Sequence, residues 1–127
     1  MNDSTRSDGL PVTVTAHWPR PHLCVVQLAG ELDIATVPPL AEYLSQETAT
    51  GAAHLVLDVA EVRFLACAGV RLVLSAMQND DGIRGRLHLI GVTGNHMVAR
   101  VLDLAGLMPL LDVHDSLEQL LDHPDHG

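Results

Sequence analysis

The stretch "LVLDVAEVRFLACAGVRLVL", residues 55–74, decides the fold. It opens as a continuous apolar run, part of "AHLVLDV" (53–59), which has the composition of a strand buried on both faces in a parallel sheet. It then passes through a tight turn of small residues, Ala66-Cys67-Ala68-Gly69. Beyond the turn, Val70, Val73, Leu74 and Met77 recur at i, i+3, i+4 and i+7, the apolar stripe of a helix. Strand, tight turn, helix is half of a βαβ unit.

The same alternation extends in both directions. "VTVTA" (12–16) alternates strictly and fits a half-exposed strand. "RPH" turns the chain into "LCVVQLAG" (23–30), expected to pair antiparallel with it. In "ELDIATVPPLAEYLSQ", Val37, Leu40, Ala41 and Leu44 give a second helical stripe. Thr36 suits its cap, and Pro38 and Pro39 fit a first turn whose N–H groups lack helical partners anyway. Downstream, "NDDGIRG" (79–85) breaks the helix before the strand "RLHLIGV" (86–92). A helix with Val98, Val101, Leu102 and Ala105 follows, capped by Thr93 or Asn95 and closed by Gly106-Leu107. "MPLLDV" (108–113) reads as a last strand, and Asp115 with Glu118 as a capping box for a final helix.

The expected order is β-β-α-β-α-β-α-β-α: an α/β fold, one domain, with a mixed but mostly parallel sheet and helices packed against it. Residues 1–10 read as a disordered lead, 11–122 as the domain and 123–127 as a flexible tail.

Composition narrows the function. Seven basic against sixteen acidic residues give a net charge of -9, which repels nucleic acid and anionic membranes and suits a basic protein partner. No apolar run approaches the ~20 residues that span a bilayer, and "MNDSTRSDG" is no signal peptide. The two cysteines, Cys24 and Cys67, form no CxxC pair, so a reduced cytoplasmic protein is expected. "DHPDHG" (122–127) is a weak metal candidate beside the plainer reading of a solvated tail, and no metal or cofactor is expected.

No catalytic residue can be named either. Dinucleotide, phosphate-loop and nucleophile-elbow motifs are absent. A Cys67 nucleophile needs a base, and His54 and His88 lie inside apolar strands, where packed histidines are the rule. A non-enzyme is expected. In open α/β sheets, ligands and partners gather beyond the C-terminal strand ends. Three segments fall there: "GELDIAT" (30–36), "RFLACAG" (63–69) and "GVTGN" (91–95).

From about residue 11 to 122 the chain resembles a STAS domain of the anti-sigma factor antagonist family. "GELDIATVPPL", "LVLDVAEVRFLACAGVRLVL" and "LHLIGVTGNHMVARVLDLAGL" carry the resemblance, in that order and spacing. It implies a small cytoplasmic regulator that binds an anti-sigma factor with a kinase-type ATP-binding domain and so frees a sigma factor. It also implies a partner surface drawn from Glu31, Asp33, Ile34, Thr36, Cys67, Ala68, Gly69, Arg71, Thr93 and Asn95.

Family members read Phe-aliphatic-Asp-Ser-Ser/Thr-Gly-aliphatic across the turn, and the kinase phosphorylates the second hydroxyl residue. This chain reads Phe64-Leu65-Ala66-Cys67-Ala68-Gly69-Val70. The phosphoacceptor position is Ala68, which has no oxygen to phosphorylate. Control is then lost, moved to Thr93 or Ser75, or transferred to the Cys67 thiol as a redox switch. With the helix placed near Gly69, Cys67 and Ala68 count as poor caps, and Ala68→Ser is expected to stabilise slightly. The alternative role is a soluble STAS accessory subunit of a membrane transport system.

Overall fold

The computed structural model describes residues 4–6 and 12–122. Strands β1 (Ser4–Arg6), β2 (Val12–Arg20) and β3 (Leu23–Leu32) lead into helix α1 (Val37–Thr48). Strand β4 (His54–Leu65), helix α2 (Cys67–Gln78), strand β5 (Arg86–Ile90) and helix α3 (His96–Leu104) follow. A 3-10 turn (Met108–Leu110), strand β6 (Val113–His114) and helix α4 (Leu117–Leu121) complete the fold. The six strands lie side by side in chain order. β1, β2 and β3 pair antiparallel, and β3 through β6 pair parallel.

That order explains the layers. Parallel crossovers share one hand, so crossovers that each advance one strand in the same direction leave their helices on one face. The main core accordingly joins Leu40 and Leu44 of α1, Leu72 and Val73 of α2, and Val98 and Leu102 of α3 to the sheet's Val26, Leu28, Leu55, Leu57 and Leu89. Side chains alternate along each strand, so Val25, Val56 and Ile90 face the other way. There they meet Leu120 of α4 in a smaller second core.

Four expectations change. Residues 1–10 read as unstructured in the sequence, yet the backbone of Ser4–Arg6 pairs with β2. The apolar run 108–113 is not one strand: Pro109 sits in the 3-10 turn, and only Val113 and His114 join the sheet. The last helix is capped one residue later, because Ser116 Oγ accepts from the Gln119 N–H at 3.2 Å while Gln119 Oε1 accepts from the Asp115 N–H at 2.7 Å. Thr36 stands at the cap position of α1 without capping it. The tail 123–127, and with it most of "DHPDHG", lies outside the described residues.

One expected helix end is realised in full. Gly106 takes φ +77°, Leu107 N–H returns to Leu102 O and Gly106 N–H to Asp103 O, the two bonds of a left-handed close.

β4 is the element that shapes the C-terminal end of the sheet. Against β3 it carries an extra residue twice: Gln27 and Ala29 oppose Asp58 and Glu61, and Gly30 and Glu31 oppose Val62 and Phe64. Its inward residues therefore step Val59, Val62, Leu65 rather than every second residue. Asn95 holds this bulged segment. Its Nδ2 donates to Val59 O at 2.9 Å and Val62 O at 2.8 Å, while its Oδ1 accepts from the Val98 N–H and caps α3. Asn95→Ala removes the cap and leaves those carbonyls without their donor. It should lower unfolding stability by about 2–4 kcal/mol, read from the urea midpoint with an unchanged slope.

Candidate functional site

The loop from β3 to α1 is a closed hydrogen-bonded unit. Asp33 Oδ1 accepts from the Ala35 N–H at 2.9 Å and the Thr36 N–H at 3.0 Å. The Thr36 hydroxyl accepts from the Asp33 N–H at 2.9 Å and donates to Glu31 O at 2.8 Å. The cap donors would be the N–H groups of Pro38 and Pro39, which proline lacks, so the threonine oxygen is used inside the loop and does not cap α1. Thr36 is fully buried, and the loop it ties down pushes Ile34 outward, 84 % exposed.

The turn from β4 to α2 locks onto this loop. Glu31 pairs with Phe64 and Leu32 with Leu65 at the end of the parallel ladder. The Ala66 N–H then donates to Leu32 O at 2.9 Å. Gly69 packs so closely behind it that a Cβ there would lie 2.4 Å from Leu65 Cδ1 and 2.9 Å from Leu32 Cβ. Only glycine lets α2 start at this position. The two bulges in β4 turn Phe64 outward, 50 % exposed, beside the loop that carries Ile34.

The outcome is a rim in which Glu31, Asp33, Ile34, Cys67, Ala68 and Arg71 come together, with Thr36 and Gly69 buried behind it. Cys67 and Arg71, one helical turn apart, are both exposed, and Ala68 is half-buried between helix and loop. Phe64 belongs to this surface although strand alternation hides it. Asn95 is engaged with β4 and Thr93 with Asp115. Asn95 is half-buried in its bonds to β4, and the Thr93 hydroxyl donates to Asp115 Oδ1 at 2.7 Å. Ser75 sits half-buried in the middle of α2.

His54 begins β4 whereas Cys67 follows its far end, so thiol and imidazole are separated by the length of the strand. Cys24 is enclosed in the core, where burial and the nearby Glu47 push its thiol up to about 12. Cys67 is the exposed cysteine. A cleft of about 530 Å³ opens at the opposite end of the sheet, among Ala53, Met77, Arg86, Leu111 and Asp112, and no rim residue lines it.

Residues 18–120 match the STAS domain. The chain belongs to the STAS domain family. Within the family it is 28 % identical over 93 residues to an anti-sigma-B factor antagonist of Staphylococcus epidermidis, covering 73 % of this chain and 84 % of that one. The anti-sigma factor antagonist SpoIIAA in its unphosphorylated form superposes with TM-score 0.71 at 22 % identity, over 90 % of this STAS chain and 97 % of its own. The phosphorylated form of SpoIIAA, from Bacillus, superposes with TM-score 0.64 at 22 % identity over 86 % and 96 %. An anti-sigma factor antagonist from Mycobacterium paratuberculosis gives TM-score 0.70 at 22 % identity over 87 % and 91 %. No helix among the described residues is long and apolar enough to cross a membrane.

This STAS domain starts α2 at Cys67, with Ala66 as the N-cap in an extended conformation and no side-chain cap. That corrects the expected helix start near Gly69 and moves the missing cap from residue 68 to residue 66. Ala66→Asp should supply an acceptor for the free first-turn N–H groups and a favourable charge at the helix N-terminus. A gain of about 0.5–2 kcal/mol is expected in urea unfolding, while Ala68→Ser, at the second helical residue, should be close to neutral.

Proposed function

We propose that this protein is a non-enzymatic regulator that binds an anti-sigma factor with a kinase-type ATP-binding domain, freeing its sigma factor. We further infer that it does so without the serine phosphorylation switch. The binding surface is the rim of Glu31, Asp33, Ile34, Phe64, Cys67, Ala68 and Arg71, held from behind by Thr36 and Gly69. The setting is cytoplasmic, where the relatives' named targets, sigma-factor regulators, would be met.

The observation that carries this reading is the position of Ala68. It is the second residue of α2, half-buried next to the exposed Cys67. A hydroxyl there would stand in the middle of the contact surface. A phosphate on it adds nearly two negative charges, to a rim that already carries Glu31 and Asp33, and desolvating them against a partner is costly. SpoIIAA, which has both a phosphorylated and an unphosphorylated form, illustrates the switch in a relative of the same fold. Alanine offers no oxygen to accept the phosphoryl group, so the surface stays in its binding state.

The alternative acceptors fit less well. A phosphate on Thr93 would face the Asp115 carboxylate its hydroxyl now meets at 2.7 Å, and Ser75 lies inside α2 among packed neighbours. Incubating the protein with each kinase-type anti-sigma factor of the same genome and ATP tests the proposal. Complex formation and intact mass are read together. A complex that persists with no added phosphate is expected. Phosphorylation elsewhere on the chain would show that control has moved, and the absence of any complex would favour the transport-accessory role.

A further inference from the structure

Away from the rim, four side chains form a line across three neighbouring strands. His54 at the start of β4 places Nδ1 3.1 Å from Nε2 of His88 on β5. His88 Nδ1 lies 2.5 Å from Asp112 Oδ2, and His114 Nε2 of β6 lies 3.0 Å from the same oxygen. His88 is fully buried, on the sheet face that packs against α4, whereas Asp112 and His114 are partly exposed.

We propose that His88 Nδ1, Asp112 Oδ2 and His114 Nε2 form a binding site for a divalent transition metal of the zinc class, with His54 as the partner that orients His88. The three ligand atoms lie within 4.8 Å of one another. Around a tetrahedral zinc with bonds near 2.0–2.1 Å, ligand atoms sit about 3.3 Å apart. The observed 2.5 and 3.0 Å separations therefore need to open by less than about 1 Å, and the imidazole–imidazole separation, within 4.8 Å, to close by up to about 1.5 Å, to admit the ion. Two imidazoles and one carboxylate select zinc, cobalt or nickel over magnesium and calcium, which take oxygen ligands. The three side chains supply three of a tetrahedral zinc's four positions. Asp112 and His114 are partly exposed, which gives the ion a route in.

His54 supplies what a lone trio lacks. A histidine that ligates through Nδ1 needs its other nitrogen held, and His88 Nε2 then carries the proton and donates it to His54 Nδ1. The ion would tie the two-residue edge strand β6, and through it α4, to the centre of the sheet.

The test uses the full chain, freed of metal and titrated calorimetrically with Zn²⁺ at neutral pH. One ion per chain is expected. His114→Ala and Asp112→Asn should weaken binding by more than 100-fold, and His54→Ala by 10–100-fold. A His123→Ala/His126→Ala control, which alters only the C-terminal tail, should bind as the parent does. Circular dichroism establishes that each variant is folded. Co²⁺ on the unaltered chain gives a readout that needs no variant: intense visible bands report a four-coordinate site. Absence of binding, equal affinity in His114→Ala, loss confined to the tail variant, or a weak six-coordinate cobalt spectrum would each overturn the assignment.

Discussion

The proposed binding surface depends on how closely two loops are joined at the C-terminal end of the sheet. The Ala66 N–H to Leu32 carbonyl bond and the seat of Gly69 on Leu32 fix the start of α2 against the β3–α1 loop. Neither contact uses a special side chain. One is backbone to backbone, and the other works because a side chain is missing. With the junction fixed, Ile34, Phe64, Cys67 and Arg71 hold one relative arrangement. A protein partner can then bind a surface already formed, which lowers the ordering cost of association.

The parts that shape the junction, Asp33, Thr36 and Gly69, are fully engaged. The residues at 66 and 68 are alanines. An uncapped helix start costs about 0.5–2 kcal/mol, which a core of Leu72, Val73 and Ala76 packed on the sheet can absorb. On the proposed reading, the alanine at 68 removes the phosphoacceptor from the binding surface and leaves the packing that forms that surface in place.

Much of the architecture is legible in the sequence because helices announce themselves through i, i+3, i+4 spacing. The stripes at Val37–Leu44, Val70–Met77 and Val98–Ala105 all correspond to observed helices. Features that depend on neighbours in space are not legible. The bulges of β4 follow from its pairing with β3 and set which of its last residues face inward, leaving Phe64 half exposed, which no alternation pattern records. Thr36 has the identity of a cap but turns its hydroxyl back to Glu31. Asp115/Glu118 and Ser116/Gln119 have equal claims to the cap spacing, and only the observed bonds separate them. His88, Asp112 and His114 are brought together by strand pairing, across up to 26 positions of sequence, with no local motif to mark them (114 − 88).

On the proposed reading, residue 68 alone separates this protein from phosphate control. Its most direct test is Ala68→Ser, incubated with the partner anti-sigma factor and ATP beside the unaltered chain. The variant is expected to gain one phosphate, on the introduced hydroxyl, and to lose the complex, while the unaltered chain keeps it. A variant that stays unphosphorylated in a stable complex, or that is phosphorylated and still bound, would contradict this.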